Sequence, residues 1–422
     1  MIVRDSAQPT GEGERHVATT DETAPAYKCE DIRVLPATEH IRLRPGMYIG
    51  DTGIRGLHHL VDEVVSNAVA EAEAGSCNRI SVELLSDRGC RIKDNGRGIP
   101  VDIVPQLGKR ILELVLTEAG TLGKPAQAPY RVKTGFFSIG LQAVNALSDR
   151  LIVEVWRDGR RWQQEFSRGH PCSEPIPIEE TNHTGTAIAF WSDPEIFTGA
   201  CYFEYQLLAA RLRDLAALNH GLTIELIDRR WEPTQSEVFC YWDGLRDYLR
   251  DLNRTRQPIH PHIFAFRQRG EEHEVEVALQ WTTSEREDIR GYANCCFSRL
   301  GGTHVTGFLR ALTVTLGEDL PPNDEGAELI GADFRKGLTA LVAIKITEPQ
   351  WESASFARLN NPEAEGLVLQ TVSEHLGQFL REHPEDTRAI RQHAEAARQA
   401  RRAVPRRRRR DPPRPDPKTG MS

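Results

Sequence analysis

No stretch of this 422-residue chain is apolar for long enough to cross a bilayer, which takes about 20 consecutive apolar residues. The N-terminus also lacks the basic and apolar regions of a signal peptide. Together these absences predict a cytoplasmic protein that does not contact membrane. None of the eight cysteines sits in a CxxC pair, and Cys295 and Cys296 are adjacent, which suits neither a zinc site nor an easy disulfide. They read as reduced core or surface thiols. There is no internal repeat, and the formal charge of −8 argues against broad coating of nucleic acid. The balance is uneven, however: residues 401 to 410 are strongly basic and residues 318 to 328 acidic. The proline- and arginine-rich tail from Pro405 lacks the apolar residues to pack and is expected to be disordered. Such a tail can meet a phosphate backbone or an acidic partner surface, or simply be solvated.

With 39% hydrophobic residues the chain is long enough for two or three domains with cores of their own. Between Gly56 and Glu71, Leu57, Leu60, Val61, Val64, Val65 and Ala68 recur at helical spacing and form one apolar stripe. His59, Glu63, Asn67 and Glu71 follow one another at four-residue intervals and share a different face. A carboxylate there can align a water for attack on a terminal phosphate, and an amide one turn on can ligate Mg²⁺. Taken alone, the same face is equally a solvated helix edge. The next two alternating segments, from Arg79 and from Cys90, read as a hairpin that runs into Asp94-Asn95-Gly96-Arg97-Gly98-Ile99-Pro100. Asp94 is placed to accept from an adenine amino group, and the glycines let backbone come close to a ligand. Further on, a segment from Gly135 to Gly140 opens a helix, and Thr184-Gly185-Thr186 precedes an apolar strand.

In order and spacing these four blocks resemble the GHKL nucleotide-binding fold. The likeness narrows with Arg44-Pro-Gly-Met-Tyr-Ile-Gly-Asp51 before the helix and Val144-Asn-Ala-Leu-Ser148 after the glycine segment, which resemble the B-subunit family of DNA gyrase and topoisomerase IV. It continues through Pro258-Ile-His-Pro261, residues 275 to 281 and Gly301-Gly-Thr-His304 to about Arg402. The resemblance implies an α/β fold of an ATPase domain and a transducer domain, with ATP and Mg²⁺ as cofactors. It also implies Glu63 as general base, His59 as its orienting partner, Asn67 as Mg²⁺ ligand and Asp94 as adenine reader, with Thr186 supporting adenine through a water. Gly98, Ile99 and Pro100 belong to the same adenine pocket, and Arg97, Glu71 and Arg157 to an ion-pair cluster at its mouth. Lys124, Tyr130, Gly135 and Gly140 match the lid over adenine and phosphate. Tyr27 and Ile32 match an arm that reaches into the neighbouring protomer of an ATP-dependent homodimer.

Two departures stand beside these matches. Where the family's lid reads GGLHGVG, this chain has Thr134-Gly-Phe-Phe-Ser-Ile-Gly140. Phe137 and Ser138 oppose the wrapping of phosphate by bare backbone N–H groups, because a Cβ disfavours positive φ and occupies the space beside the ligand. Where the family's QTK loop sends a lysine to the γ-phosphate, the chain reads Ala354-Ser355-Phe356. Loss of comparable groups costs roughly 10²-fold or more in rate, so slow hydrolysis or none is expected. Arg358 could reach in as a substitute cation. Ser66 and Ala70 stand where the family usually has carboxylates.

The expected organisation is a polar tail at residues 1–22, an ATP-binding domain with its dimerisation arm at 23–238, a transducer domain at 239–400 and the basic tail at 401–422. In the second domain, strands at 275–281 and 340–346 with the helix 307–316 between them should form a right-handed βαβ crossover. No TOPRIM metal-binding block and no tyrosine-bearing breakage domain follow, so strand cleavage is not expected of this chain alone. Two functions fit. One is an ATP-operated dimerising clamp of the type II topoisomerase kind, working with DNA or other topoisomerase subunits. The other is a nonhydrolytic nucleotide- or inhibitor-binding regulator, decoy or resistance factor.

Overall fold

The computed structural model describes residues 35–118, 140–199, 202–317, 329–352 and 356–403. The N-terminal unit, residues 1–36, therefore lies outside the description apart from its last two residues, and residues 37–422 form the other unit.

The first half of that larger unit is built on a nine-stranded sheet. From one edge its strands run Gln235–Phe239, Thr223–Asp228, Arg79–Leu84, Cys90–Asp94, Gly185–Ser192, Ser148–Arg157, Arg160–Ser167 and His170–Pro171, with Ile176–Glu180 also pairing to Arg160–Ser167. The expected hairpin forms in antiparallel register with Ile80 opposite Asp94. Ala187 pairs with Lys93 and Thr186 with Val155, which brings Thr186 beside the end of the hairpin. The helix Ile54–Glu73 buries Leu57, Leu60, Val61, Val64, Val65 and Ala68, the stripe the sequence defines, in the same core as Ile80, Val82 and Ile92 of the hairpin. The helices Gly140–Ala146 and Tyr205–Leu218 add their apolar faces to that core. Burying apolar side chains of this size contributes about 1.5–3 kcal/mol each, so the polar face of Ile54–Glu73 is held in a fixed orientation by its opposite side.

The second half has a five-stranded sheet in the order Phe264–Arg269, His273–Trp281, Leu338–Ile346, Asp288–Ala293 and Cys296–Phe297. One expectation needs correction here. The strands His273–Trp281 and Leu338–Ile346 are antiparallel neighbours, so they do not form a βαβ unit. The parallel partner of Leu338–Ile346 is Asp288–Ala293, and the helix Thr303–Gly317 lies between those two in sequence. The crossover exists, but its first strand is the more polar Asp-Ile-Arg-Gly-Tyr-Ala segment. The helix Pro362–Glu382 packs on the crossover helix, with Val368, Val372 and Leu376 buried in the same core as Phe308 and Leu312. The helix Pro384–Ala403 follows and buries Ile390 and Ala394. No helix among the described residues is long and apolar enough to cross a membrane.

Candidate functional site

The face His59–Glu63–Asn67–Glu71 runs along the helix Ile54–Glu73, and from Glu63 to Glu71 it rises roughly 12 Å. At the far end, Glu71 meets the glycine turn. Arg97 pairs with it at 2.7 Å through Nη2 and 3.0 Å through Nε, and the backbone N–H of Arg97 also donates to it at 3.0 Å. Arg157, expected in the same cluster, joins it differently, donating to the carbonyl of Gly98 at 2.8 Å. Gly98 has φ +77°, and a Cβ there would stand 2.8 Å from the carbonyl oxygen of Trp156, so the turn needs glycine both for its backbone and for its space.

Asp94 lies behind this turn with only 4% of its surface exposed. Its Oδ1 accepts from the backbone N–H of Gly96 at 2.8 Å and of Thr186 at 3.3 Å, and both bonds use that oxygen, leaving Oδ2. Burial pushes the Asp94 carboxyl up to about 6, against the two backbone donors that pull it down. The Thr186 hydroxyl accepts from the backbone N–H of Ile99 at 3.2 Å, so Asp94, Thr186 and Ile99 form one bonded unit with half-buried Pro100 next in the chain. A buried carboxylate with one oxygen held and the other free is suited to accept from an exocyclic amino group.

At the near end of the helix, His59 Nε2 is 3.1 Å from Glu63 Oε1, and Glu63 is 8% exposed. Burial draws the His59 imidazole down, but the hydrogen bond and charge of Glu63 outweigh it and hold the ring above its ordinary pKa. Gly140, the first residue of its helix, faces the same carboxylate: a Cβ on it would lie 2.0 Å from Glu63 Oε2. Between the two ends, Asn67 is half-buried, and its amide has no hydrogen-bond partner among the described residues. An unpartnered oxygen donor one turn from a buried carboxylate fits a hard divalent cation. The structure thus brings together Glu63, His59, Asn67, Glu71, Asp94, Arg97, Gly98, Ile99, Pro100, Gly140, Arg157 and Thr186 along one helix face and the adjoining strand ends. Tyr27, Ile32, Lys124, Tyr130 and Gly135 lie outside the described residues.

A cavity of about 550 Å³ opens beside His59 and Glu63, walled by Tyr48, Asp51, Gly140, Arg211, Phe297 and Phe356 among others. The Arg44–Asp51 motif therefore borders the site, and so does Phe356 from the second sheet's side, where the sequence replaces a lysine. Phe356 has φ +53° and packs edge-on to Trp351 with ring centres 5.3 Å apart. Arg358 is not among the residues that line the cavity, and it pairs with Glu352 at 3.8 Å.

Sequence reasoning missed the residues that fasten this helix to the second sheet. Arg211 is 3.2 Å from Asp62 and donates to the carbonyl of Cys295 at 2.8 Å. At the helix's C-terminal end Lys345, from the strand Leu338–Ile346, pairs with Glu73 at 2.8 Å. Burial opposes the charge on Lys345, but the neighbouring Cys295 and Glu73 raise its pKa above the usual range. The partners are 149 and 272 residues apart in the chain, so no local pattern announces them.

Comparison with known proteins agrees with this geometry. The chain matches the family model for histidine kinase-, DNA gyrase B- and HSP90-like ATPases over residues 52–195 and that for DNA gyrase B over residues 244–410. It is 40% identical to a chloroplastic/mitochondrial DNA gyrase B protein of Nicotiana benthamiana, covering 85% of this chain and 51% of that one. It is 38% identical to the novobiocin-sensitive DNA gyrase B protein of Streptomyces niveus, over 92% of this chain and 60% of that one. The chain thus spans between half and three fifths of the length of these relatives. Among solved structures, the 43K ATPase domain of Thermus thermophilus gyrase B, crystallised with an aminocoumarin, superposes with a TM-score of 0.75 at 36% identity, covering 88% of this chain and 97% of that one. Sheet order, pocket residues and these likenesses converge: the chain belongs to the DNA gyrase B family, over the region that carries the GHKL-type ATPase and the transducer.

Proposed function

We propose that this chain is an ATP-binding clamp of the type II topoisomerase kind, which dimerises on nucleotide and turns ATP over slowly or not at all. The observation that carries the reading is the pairing of a buried, half-engaged Asp94 with the His59–Glu63 couple at opposite ends of one helix face. Asp94 Oδ2 receives the adenine amino group, while Thr186 and the Gly98 turn fix the ring's edge. Glu63 Oε1 is held by His59 Nε2, which leaves Oε2 as the base toward a water on the phosphate side. Asn67 would hold Mg²⁺, which when bound neutralises charge between the phosphates. Phe356 brings no positive charge to the cavity beside Glu63, and that supports slow chemistry. Homodimerisation through the arm bearing Tyr27 and Ile32, work on DNA with other topoisomerase subunits, and a cytoplasmic setting complete the proposal. So do domain limits near residues 23, 239 and 401 with tails beyond them.

Phe356 also favours a second reading, a nucleotide- or inhibitor-binding regulator, decoy or resistance factor with no turnover. Calorimetry of ATP binding with and without Mg²⁺, beside steady-state phosphate release from the protein and its Glu63→Ala variant, separates the two. Binding with release abolished by the substitution, or with a shift to dimer on a nonhydrolysable analogue, supports the clamp; binding with neither release nor dimerisation supports the regulator. No binding of ATP at all overturns both.

A further inference from the structure

Far from the nucleotide face, the second sheet carries a cluster that this reading leaves unused. His262 lies in the loop before the strand Phe264–Arg269, His383 caps the C-terminus of the helix Pro362–Glu382, and Asp386 sits in the first turn of the helix Pro384–Ala403. Each offers one ligand atom, and these atoms all lie within 4.8 Å of one another. His262 Nδ1 is 3.0 Å from Asp386 Oδ2, and the two imidazole rings have centres 4.3 Å apart.

We propose that His262, His383 and Asp386 form a binding site for a divalent transition metal of the zinc, nickel or cobalt class.

Three features favour a metal over a plain histidine–carboxylate contact. First, neither ring nitrogen of His383 has a hydrogen-bond partner among the described residues, although the ring is packed against Phe379 and His262. A half-buried imidazole held without a partner keeps a lone pair for a Lewis acid. Second, Asp386 is only 4% exposed and is backed by a third imidazole. His260 Nε2 lies 3.3 Å from the backbone N–H of Trp281, which it accepts, so its proton is on Nδ1, 3.4 Å from Asp386 Oδ2. That buried nitrogen makes no hydrogen bond in the structure, so it is available to donate to Asp386 when the carboxylate ligates a metal, the outer-shell arrangement that metal sites use. Third, the donors suit the ion. Two imidazoles and one carboxylate are the set that zinc and its neighbours accept, with a position left open.

Tetrahedral ligation puts donor atoms about 3.3 Å apart, so closure asks only for small side-chain rotations of exposed His262 and half-buried His383. His262 and His383 also line a cavity of about 530 Å³, together with Arg246, Arg250, Gln378 and Glu382. Of the arginines there, Arg250 pairs with Asp247 at 2.5 Å, and Arg246 lies 3.4 Å from Asp243 and donates to the carbonyl of Ala265 at 3.3 Å. Because the three ligands come from three elements, the ion would tie the last helix to the edge of the second sheet, and its binding energy would add to folding stability.

The test uses the full chain, stripped with chelator and titrated with zinc chloride by calorimetry and by thermal unfolding. One equivalent should bind and raise Tm, and His262→Asn and His383→Asn should each weaken binding at least tenfold. His375→Asn, in the same groove but outside the cluster, should leave it unchanged. Cobalt should give visible ligand-field bands without the near-ultraviolet thiolate band that cysteine ligation produces. The proposal is overturned by affinity weaker than about 0.1 mM, by equal affinity in both histidine variants, or by a thiolate band.

Discussion

Replacing Asp94 by asparagine should weaken ATP binding while making the empty protein more stable. Asp94 Oδ1 is fixed by Gly96 and Thr186, so in the variant the side-chain oxygen keeps those donors and the NH₂ turns toward the ligand. An acceptor becomes a donor facing the adenine amino group. Hydrogen bonds to charged groups contribute about 1.5–3 kcal/mol, so affinity should fall about 10- to 150-fold. The stability change has the opposite sign. Burial raises the Asp94 carboxyl from 3.8 to about 6, so between these values the folded protein holds a proton that the unfolded chain has lost. Stability is then lost as pH rises through the folded value, by about 3 kcal/mol at pH 7. Asparagine removes that penalty. Calorimetry at pH 7 and pH 5, with urea unfolding at both, checks the two effects together. In the parent protein ATP affinity should drop about tenfold toward pH 5, as a proton must leave Oδ2. In the variant that part of the pH dependence should vanish. Unchanged affinity in the variant, or an undiminished pH slope, would refute the assignment of Asp94 to adenine, and weaker binding with lower stability would point to misfolding instead.

Other outcomes follow from the same geometry. Gly140→Ala puts a methyl 2.0 Å from Glu63 Oε2, so it should cost about 1–3 kcal/mol of stability and at least tenfold in any phosphate release, read by urea unfolding and a coupled phosphate assay. His304 is fully buried, and desolvation lowers its pKa to about 4; the unfolded chain takes up its proton first as pH falls below 6.5. Stability should therefore drop by about 3 kcal/mol between pH 7 and 4, and a His304→Leu variant should lose that acid limb; an equal acid loss in the variant refutes the assignment. A nonhydrolysable ATP analogue should shift the protein from monomer to dimer in light scattering, and deleting Met1–Leu35 should abolish the shift. A monomer under all conditions would exclude the clamp.

What the sequence disclosed and what it hid divide along physical lines. The helix Ile54–Glu73 was legible because one apolar stripe and one polar face repeat over five turns, and the hairpin because two alternating runs flank a polar turn. The contact between Asp94 and Thr186 was suggested by the glycine turns that each adjoins at a strand end, with the family resemblance pointing to Thr186. The crossover strand Asp288–Ala293 was missed because Arg290 and Gly291 break its alternation, while His273–Trp281, two strands away across Leu338–Ile346, is almost wholly buried and reads more strongly. Arg211, Glu73 and Lys345 could not be seen at all: a charge gives no sign of its partner until the chain has closed between them. The ligands His262, His383 and Asp386 were hidden in the same way, scattered over a loop and two helices.

The fastening of Ile54–Glu73 by Asp62–Arg211 near its middle and Glu73–Lys345 at its C-terminal end has a mechanical consequence. A rod pinned at two points to a neighbouring plate can neither slide nor tilt without carrying the plate along. A displacement of the helix along its axis would therefore load the strand Leu338–Ile346 through Glu73–Lys345 and the carbonyl of Cys295 through Arg211.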